Sequence, residues 1–154
     1  MIGTPTNRAV LTLLAAGLPY SVLAQGPLSE PFPAEFELAT LDGEIGVRVD
    51  GAVANDRTGR SISNAGDVNG DGRDDLVIGA GGFDAGGVSA TGAAFVVFGS
   101  SEPRDAVLNL AFLDGPDGFR LEGEFQQDYA GSSVASFGDF NGDCIDDFAI
   151  GALG

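Results

Sequence analysis

Two nine-residue stretches carry the side chains best suited to chemistry: Asp67-Val-Asn-Gly-Asp-Gly-Arg-Asp-Asp75 and Asp139-Phe-Asn-Gly-Asp-Cys-Ile-Asp-Asp147. Each places side-chain oxygens at loop positions 1, 3, 5 and 9, namely Asp67, Asn69, Asp71 and Asp75, then Asp139, Asn141, Asp143 and Asp147. Two carboxylates at ~4 Å repel by ~1 kcal/mol in water and ~4 kcal/mol at an effective dielectric of ~20. A chain that gathers them into one turn needs a cation, and an all-oxygen donor set favours calcium. Magnesium ranks second because it keeps several waters of its own. The competing reading is a plain surface turn, which Asp, Asn and Gly also favour. Two copies with every donor position retained weigh for the metal.

The residues after each loop decide which structural class holds it. A helix–loop–helix calcium hand requires a bidentate Glu at position 12. Here positions 10 to 12 are Leu76, Val77 and Ile78 in one copy and Phe148, Ala149 and Ile150 in the other, followed by Gly79-Ala80 and Gly151-Ala152. Short apolar runs closed by glycine predict buried strands. The loops therefore join strands, which excludes the helical hand and counts against dockerin-like modules.

The spacing of the two loops sets a repeat of 72 residues, from Asp67 to Asp139. Residues 41–80 and 113–152 share 19 identities in 40 positions, a level that marks a tandem array. Within one period, strands are predicted at 60–65, 75–78, 93–98 and 118–123, with a further extended or turn segment at 107–113. Four short strands per repeat with glycine-rich turns is the pattern of a propeller blade, so the fold class is all-β, a partial β-propeller of four-stranded blades. The Phe and Val clusters read as packing between blades. The chain then holds the last strand of one blade (46–51), a whole blade (59–123) and half of another. No ring closes from these pieces, which suggests a portion of a longer protein rather than several chains completing one sheet.

Composition narrows the function. Of 154 residues 25 are Gly, and the formal charge is −16, with 23 acids against seven basic residues, all Arg. There is no His and a single cysteine, Cys144, so a Ser-His-Asp triad, a Cys-His pair and the common zinc sites are excluded within this chain. The acidity argues against nucleic acid and anionic membranes as partners. Residues 1–24 read as a secretory signal peptide, with Arg8, an apolar stretch and Val22-Leu23-Ala24 before a cleavage point after Ala24. Gly17 and Pro19 break that stretch and disfavour a membrane span. A Pro-rich linker at 25–36 leads into a first repeat at 37–108 and a second, truncated one at 109–154. The implied location is secreted or cell-surface.

The segments Ser61-Ile-Ser-Asn-Ala-Gly-Asp-Val-Asn-Gly-Asp-Gly with Asp75-Leu-Val-Ile-Gly-Ala, and Val134-Ala-Ser-Phe-Gly-Asp-Phe-Asn-Gly-Asp with Asp147-Phe-Ala-Ile-Gly-Ala, resemble the FG-GAP repeat. That repeat builds the seven-bladed propeller of integrin alpha subunits and occurs in many bacterial exported proteins. The resemblance covers the chain from about Leu41 to its end. It implies Ca2+ at the eight side chains named above, with the backbone carbonyls of Arg73 and Ile145 as further ligands. It also implies a calcium-stabilised, non-enzymatic module for adhesion or recognition of an extracellular protein or matrix component. The alternatives are a structural spacer repeat of a large surface protein, or part of a secreted hydrolase using paired carboxylates such as Asp74 and Asp75. Adjacent strand residues face opposite sides, which sends Asp75 to the metal and Asp74 to solvent. Position 6 is Gly72 in the first loop and Cys144 in the second. If positive φ is needed there, a non-glycine costs roughly 1–2 kcal/mol and weakens the second site.

Overall fold

The structure is a computed structural model that describes residues 10–13, 37–43, 46–113 and 115–154. The leader and linker readings therefore fall outside the described residues except for Val10–Leu13.

Among the described residues nine strands form three sheets, and the helical segments are two single 3-10 turns, Leu38–Thr40 and Leu110–Phe112. The central sheet is a four-stranded antiparallel meander of β3 (Ser61–Gly66), β4 (Asp75–Ala80), β5 (Ala93–Val97) and β7 (Gly118–Glu122), hydrogen-bonded in that order. These are the four strands predicted for one blade. On one side of it lies β1 (Val10–Leu13) antiparallel to β2 (Val47–Asp50), which pairs parallel with β6 (Val107–Asn109). On the other lies the hairpin of β8 (Ser133–Gly138) and β9 (Asp147–Gly151).

The apolar runs of β4 and β5 are continuous rather than alternating because both faces of the sheet are covered, a burial that leaves no strand face for polar residues. Ile78, Phe95 and Val97 point one way, toward Val49 of β2 and Leu110. Phe83 meets Phe95 edge-on there, at 6.0 Å between ring centroids. Val77, Ala94 and Val96 point the other way with Ala65, and Val134, Phe148 and Ile150 of the hairpin pack onto them. The four-stranded sheet is thus clamped between β2 on one face and the β8–β9 hairpin on the other.

The segment 107–113 departs from a plain strand. Val107–Asn109 leaves the blade to extend β2, and the Asn109 side chain then accepts the Ala111 N–H at 2.9 Å, turning the chain into its 3-10 turn. A polar residue that satisfies a turn donor competes with further sheet pairing. β7 follows and returns to β5, so the blade takes its last strand from beyond residue 108, where the sequence period would divide the repeats.

Candidate metal centre

Each acidic stretch caps an antiparallel strand pair at the same end. β3 and β4 pair with Ile62 opposite Ile78 and Asn64 opposite Leu76, then shift register so that Gly66 stands opposite Asp75. β8 and β9 repeat this, with Ser136 opposite Phe148 and a shift to Gly138 opposite Asp147. The bulge needs left-handed backbone at its glycine, and Gly66 has φ 73°.

Inside the loops the acids organise the backbone before any ligand is considered. Asp67 Oδ1 accepts the Asp71 N–H at 2.9 Å and its Oδ2 accepts the Gly72 N–H at 2.8 Å. Asp139 accepts the Asp143 N–H at 3.0 Å and the Cys144 N–H at 2.9 Å in the same way. Asn69 Oδ1 and Asn141 Oδ1 take the Asp71 and Asp143 N–H groups, each at 2.9 Å. Asp71 Oδ1 accepts from Arg73 N–H at 3.0 Å, as Asp143 Oδ1 accepts from Ile145 N–H at 2.9 Å. The two turns share these four donor–acceptor pairs, and position 9 adds a fifth, although only Gly72 of the two position-6 residues is glycine. Cys144 adopts φ 71° against 85° for Gly72, so position 6 does require left-handed backbone. The Cys144 thiol is free and exposed.

Position 9 anchors each loop to its strand. Asp75 is buried, and its carboxylate accepts the Val68 N–H at 3.0 Å and the Gly99 N–H at 2.8 Å. Burial raises its carboxyl above the ordinary 3.8; the two N–H groups oppose the rise, and the charges of Asp71 and Asp67 add to it. Asp147 accepts the Phe140 N–H at 3.0 Å and is only half-buried. Asp74, next in line, is exposed and accepts from the Asn64 side chain at 3.0 Å. The two carboxylates of the Asp74–Asp75 pair are therefore separated between solvent and interior, as strand alternation predicts.

Three contributors escape a reading of the loops in isolation. Arg73 folds its guanidinium back to 3.5 Å from Asp71 Oδ1, placing a cation beside a predicted ligand. Asp146 reaches from the second loop to the first, where its Oδ2 accepts the Asp67 N–H at 2.9 Å. Ile145 leans on the same loop, so that a Cβ on Gly70 would meet its Cδ1 at 3.1 Å. Asp146 had a sequence signal, the Asp-Asp pair ending both loops, but its counterpart Asp74 makes no such contact; nothing in the linear pattern marks one as an inter-loop ligand.

The donor chemistry suits a hard cation. Asn69, Asp71, Asp139, Asn141 and Asp143 are exposed, Asp67 is half-buried, and each carboxylate oxygen retains acceptor capacity beyond the N–H it binds. The repulsion that Asp71 and Asp67 exert on Asp75 is what a cation would relieve. Among the described residues, however, no three acidic or thiol side chains converge as a formed cluster.

Comparison with known families matches residues 58–97 to the FG-GAP repeat. The chain contains an FG-GAP repeat. The match takes in β3, the first acidic loop, β4 and β5 of the FG-GAP unit, and the 72-residue offset carries its loop onto 139–147. No curated protein matches the chain. No helix among the described residues is long and apolar enough to cross a membrane.

Proposed function

We propose that the chain is an exported, calcium-stabilised FG-GAP module, integrin-alpha-like in kind, that recognises an extracellular protein or matrix ligand and performs no catalysis. The observation that carries the metal reading is the shared hydrogen-bond pattern of the two exposed, all-oxygen loops. Asp67, Asn69, Asp71 and Asp75, with the Arg73 carbonyl, would hold one Ca2+; Asp139, Asn141, Asp143 and Asp147, with the Ile145 carbonyl, would hold the other. The ion would neutralise carboxylates and fix the turn between two strands, a structural role.

The hydrolase alternative asks Asp74 and Asp75 to work together. The burial of Asp75 under two backbone N–H donors and the solvent position of Asp74 favour the non-catalytic reading. Further blades are supported by the free face of the β8–β9 hairpin. Phe137 and Phe140 stand 59% and 81% exposed, with rings 6.2 Å apart, at positions equivalent to Ala65 and Val68 in the packed interface. A neighbouring blade, in this chain's parent protein or another chain, would cover them. Cleavage after Ala24 would remove β1 and leave β2 paired to β6.

Thermal unfolding with and without calcium tests the proposal. Extracellular sites bind at ~10⁻⁴–10⁻³ M, so about 10 mM Ca2+ should stabilise the chain by roughly 1.4–2.7 kcal/mol per site, and a chelator should reverse the gain. An unfolding midpoint indifferent to both would sink the calcium reading.

A further inference from the structure

At the end of the blades away from the acidic loops, Arg57 and Arg60 line a hollow with Gly81, Tyr129, Ser132 and Leu153. Arg60 directly precedes β3 and Gly81 directly follows β4, whereas the metal loop joins the opposite ends of those strands. No acid is among these lining residues, in a chain that carries 23 of them. Arg48, Arg73, Arg104 and Arg120 pair with Asp50, Asp71, Asp117 and Glu122. Among the described residues Arg57 and Arg60 form no ion pair. The acids adjacent in sequence to Arg57 and Tyr129 bond turn N–H groups instead: Asp56 accepts from Val53 and Thr58 at 3.0 and 2.9 Å, and Asp128 accepts from Phe125 at 2.8 Å.

The repeat shows how the hollow is built. Arg57 and Tyr129 are equivalent under the 72-residue offset, as are Arg60 and Ser132, so one wall comes from the start of each blade. Both Arg57 (φ 60°) and Tyr129 (φ 52°) hold left-handed backbone, which non-glycine residues seldom adopt. The Ser132 hydroxyl donates to the Tyr129 carbonyl, which leaves the two guanidiniums as the charged donors of the site. In the same hollow Leu153 and the half-buried Tyr129 supply apolar surface.

We propose that this hollow binds a carboxylate side chain of a partner polypeptide, with an apolar neighbour of that acid against Tyr129 and Leu153. Guanidinium groups bind carboxylates through paired N–H donors. A sulfated polysaccharide offers similar oxygens, but a chain of net −16 repels its dense charge far more strongly than the single charge of one acid in an otherwise neutral peptide. The proposal deepens the recognition reading above and rests on it, but it is independent of the calcium loops.

The test is an NMR titration of the full chain with acetyl-Gly-Glu-Leu-Gly-amide, its Gln counterpart and a heparin-type oligosaccharide, following the Tyr129 ring and arginine Nε–H signals. The Glu peptide should bind and the Gln peptide should not. Arg57→Gln and Arg60→Gln should each weaken binding about fivefold, as a surface ion pair predicts. The double variant should abolish binding and Arg120→Gln should leave it unchanged, with circular dichroism confirming that each variant is folded. Affinity should be the same with calcium and with chelator, so failure of the calcium reading would leave this result standing. Equal binding of the Gln peptide, or binding that survives the double variant, would overturn the site; tighter binding of the oligosaccharide would overturn the peptide assignment.

Discussion

Asp146 and Asp67 are 79 residues apart and joined twice: Asp146 Oδ2 accepts the Asp67 N–H at 2.9 Å, and the Asp146 N–H donates to the Asp67 carbonyl at 3.3 Å. The last turn of one acidic loop is thereby tied to the first residue of the other. Gly66, beside Asp67, leaves room for this contact, since a Cβ there would overlap the Asp146 carboxylate.

Asp146→Ala should cost about 1–3 kcal/mol, because it leaves a part-buried backbone N–H without its charged acceptor. Asp74→Ala, at the equivalent position but bonded only to the exposed Asn64 side chain, should stay within about 0.5 kcal/mol of wild type. Urea denaturation of the two variants separates them; equal losses would show that the inter-loop bond adds nothing to stability.

Cys144→Gly should stabilise the second loop by about 1 kcal/mol, the penalty of holding a non-glycine at φ 71°. Calcium affinity of that loop should rise with it. A variant with the same unfolding midpoint and the same affinity would mean the strain is negligible.

Asp75 gives a pH dependence of unusual sign. Its carboxyl is raised above 3.8 in the folded chain, so the folded state binds its proton more tightly than the unfolded state. Its contribution is therefore fully present below the ordinary value and is lost as pH rises through the raised one. In calcium-free solution, wild type should gain stability relative to Asp75→Asn as pH falls through the range just above 3.8. The Asn variant should be weaker overall by about 1–3 kcal/mol, because an amide cannot accept from both Val68 and Gly99 while its NH2 faces one of them. Chemical denaturation across acid pH checks both; a wild-type-minus-variant difference that is flat or reversed with pH contradicts the account.

Removing the Arg73 guanidinium takes away a charge 3.5 Å from Asp71. Arg73→Ala keeps the backbone carbonyl and should tighten calcium binding at the first loop by about two- to fivefold at low salt, the scale of one exposed ion pair, with the gain fading as salt is raised. Unchanged affinity at low salt would place Arg73 outside the field of the site.

Much of this architecture was legible before the coordinates. The apolar runs at Leu76–Ile78 and Ala93–Phe98 announce strands, the first of them buried, and the glycine at loop position 6 raises the question of left-handed backbone, which Cys144 answers with φ 71°. What stayed hidden is what depends on contacts far apart in the chain. Val107–Asn109 carries an ordinary strand pattern that does not say which sheet it joins; its partner is β2, some 60 residues earlier. Asp74 and Asp146 each open the Asp-Asp pair that ends a loop, and only the contact between the two loops makes Asp146 a tether. The Arg73 side chain stays hidden for another reason: its contact with Asp71 is local, but the sequence does not fix which way an exposed guanidinium folds.

The proposed function rests on calcium held by the two acidic loops. Isothermal titration of the full chain should show two Ca2+ per chain, at affinities of ~10⁻⁴–10⁻³ M, with Asp71→Ala and Asp143→Ala each removing one and the double variant removing both. Calcium uptake that persists in the double variant, or no uptake by the wild-type chain, would contradict it.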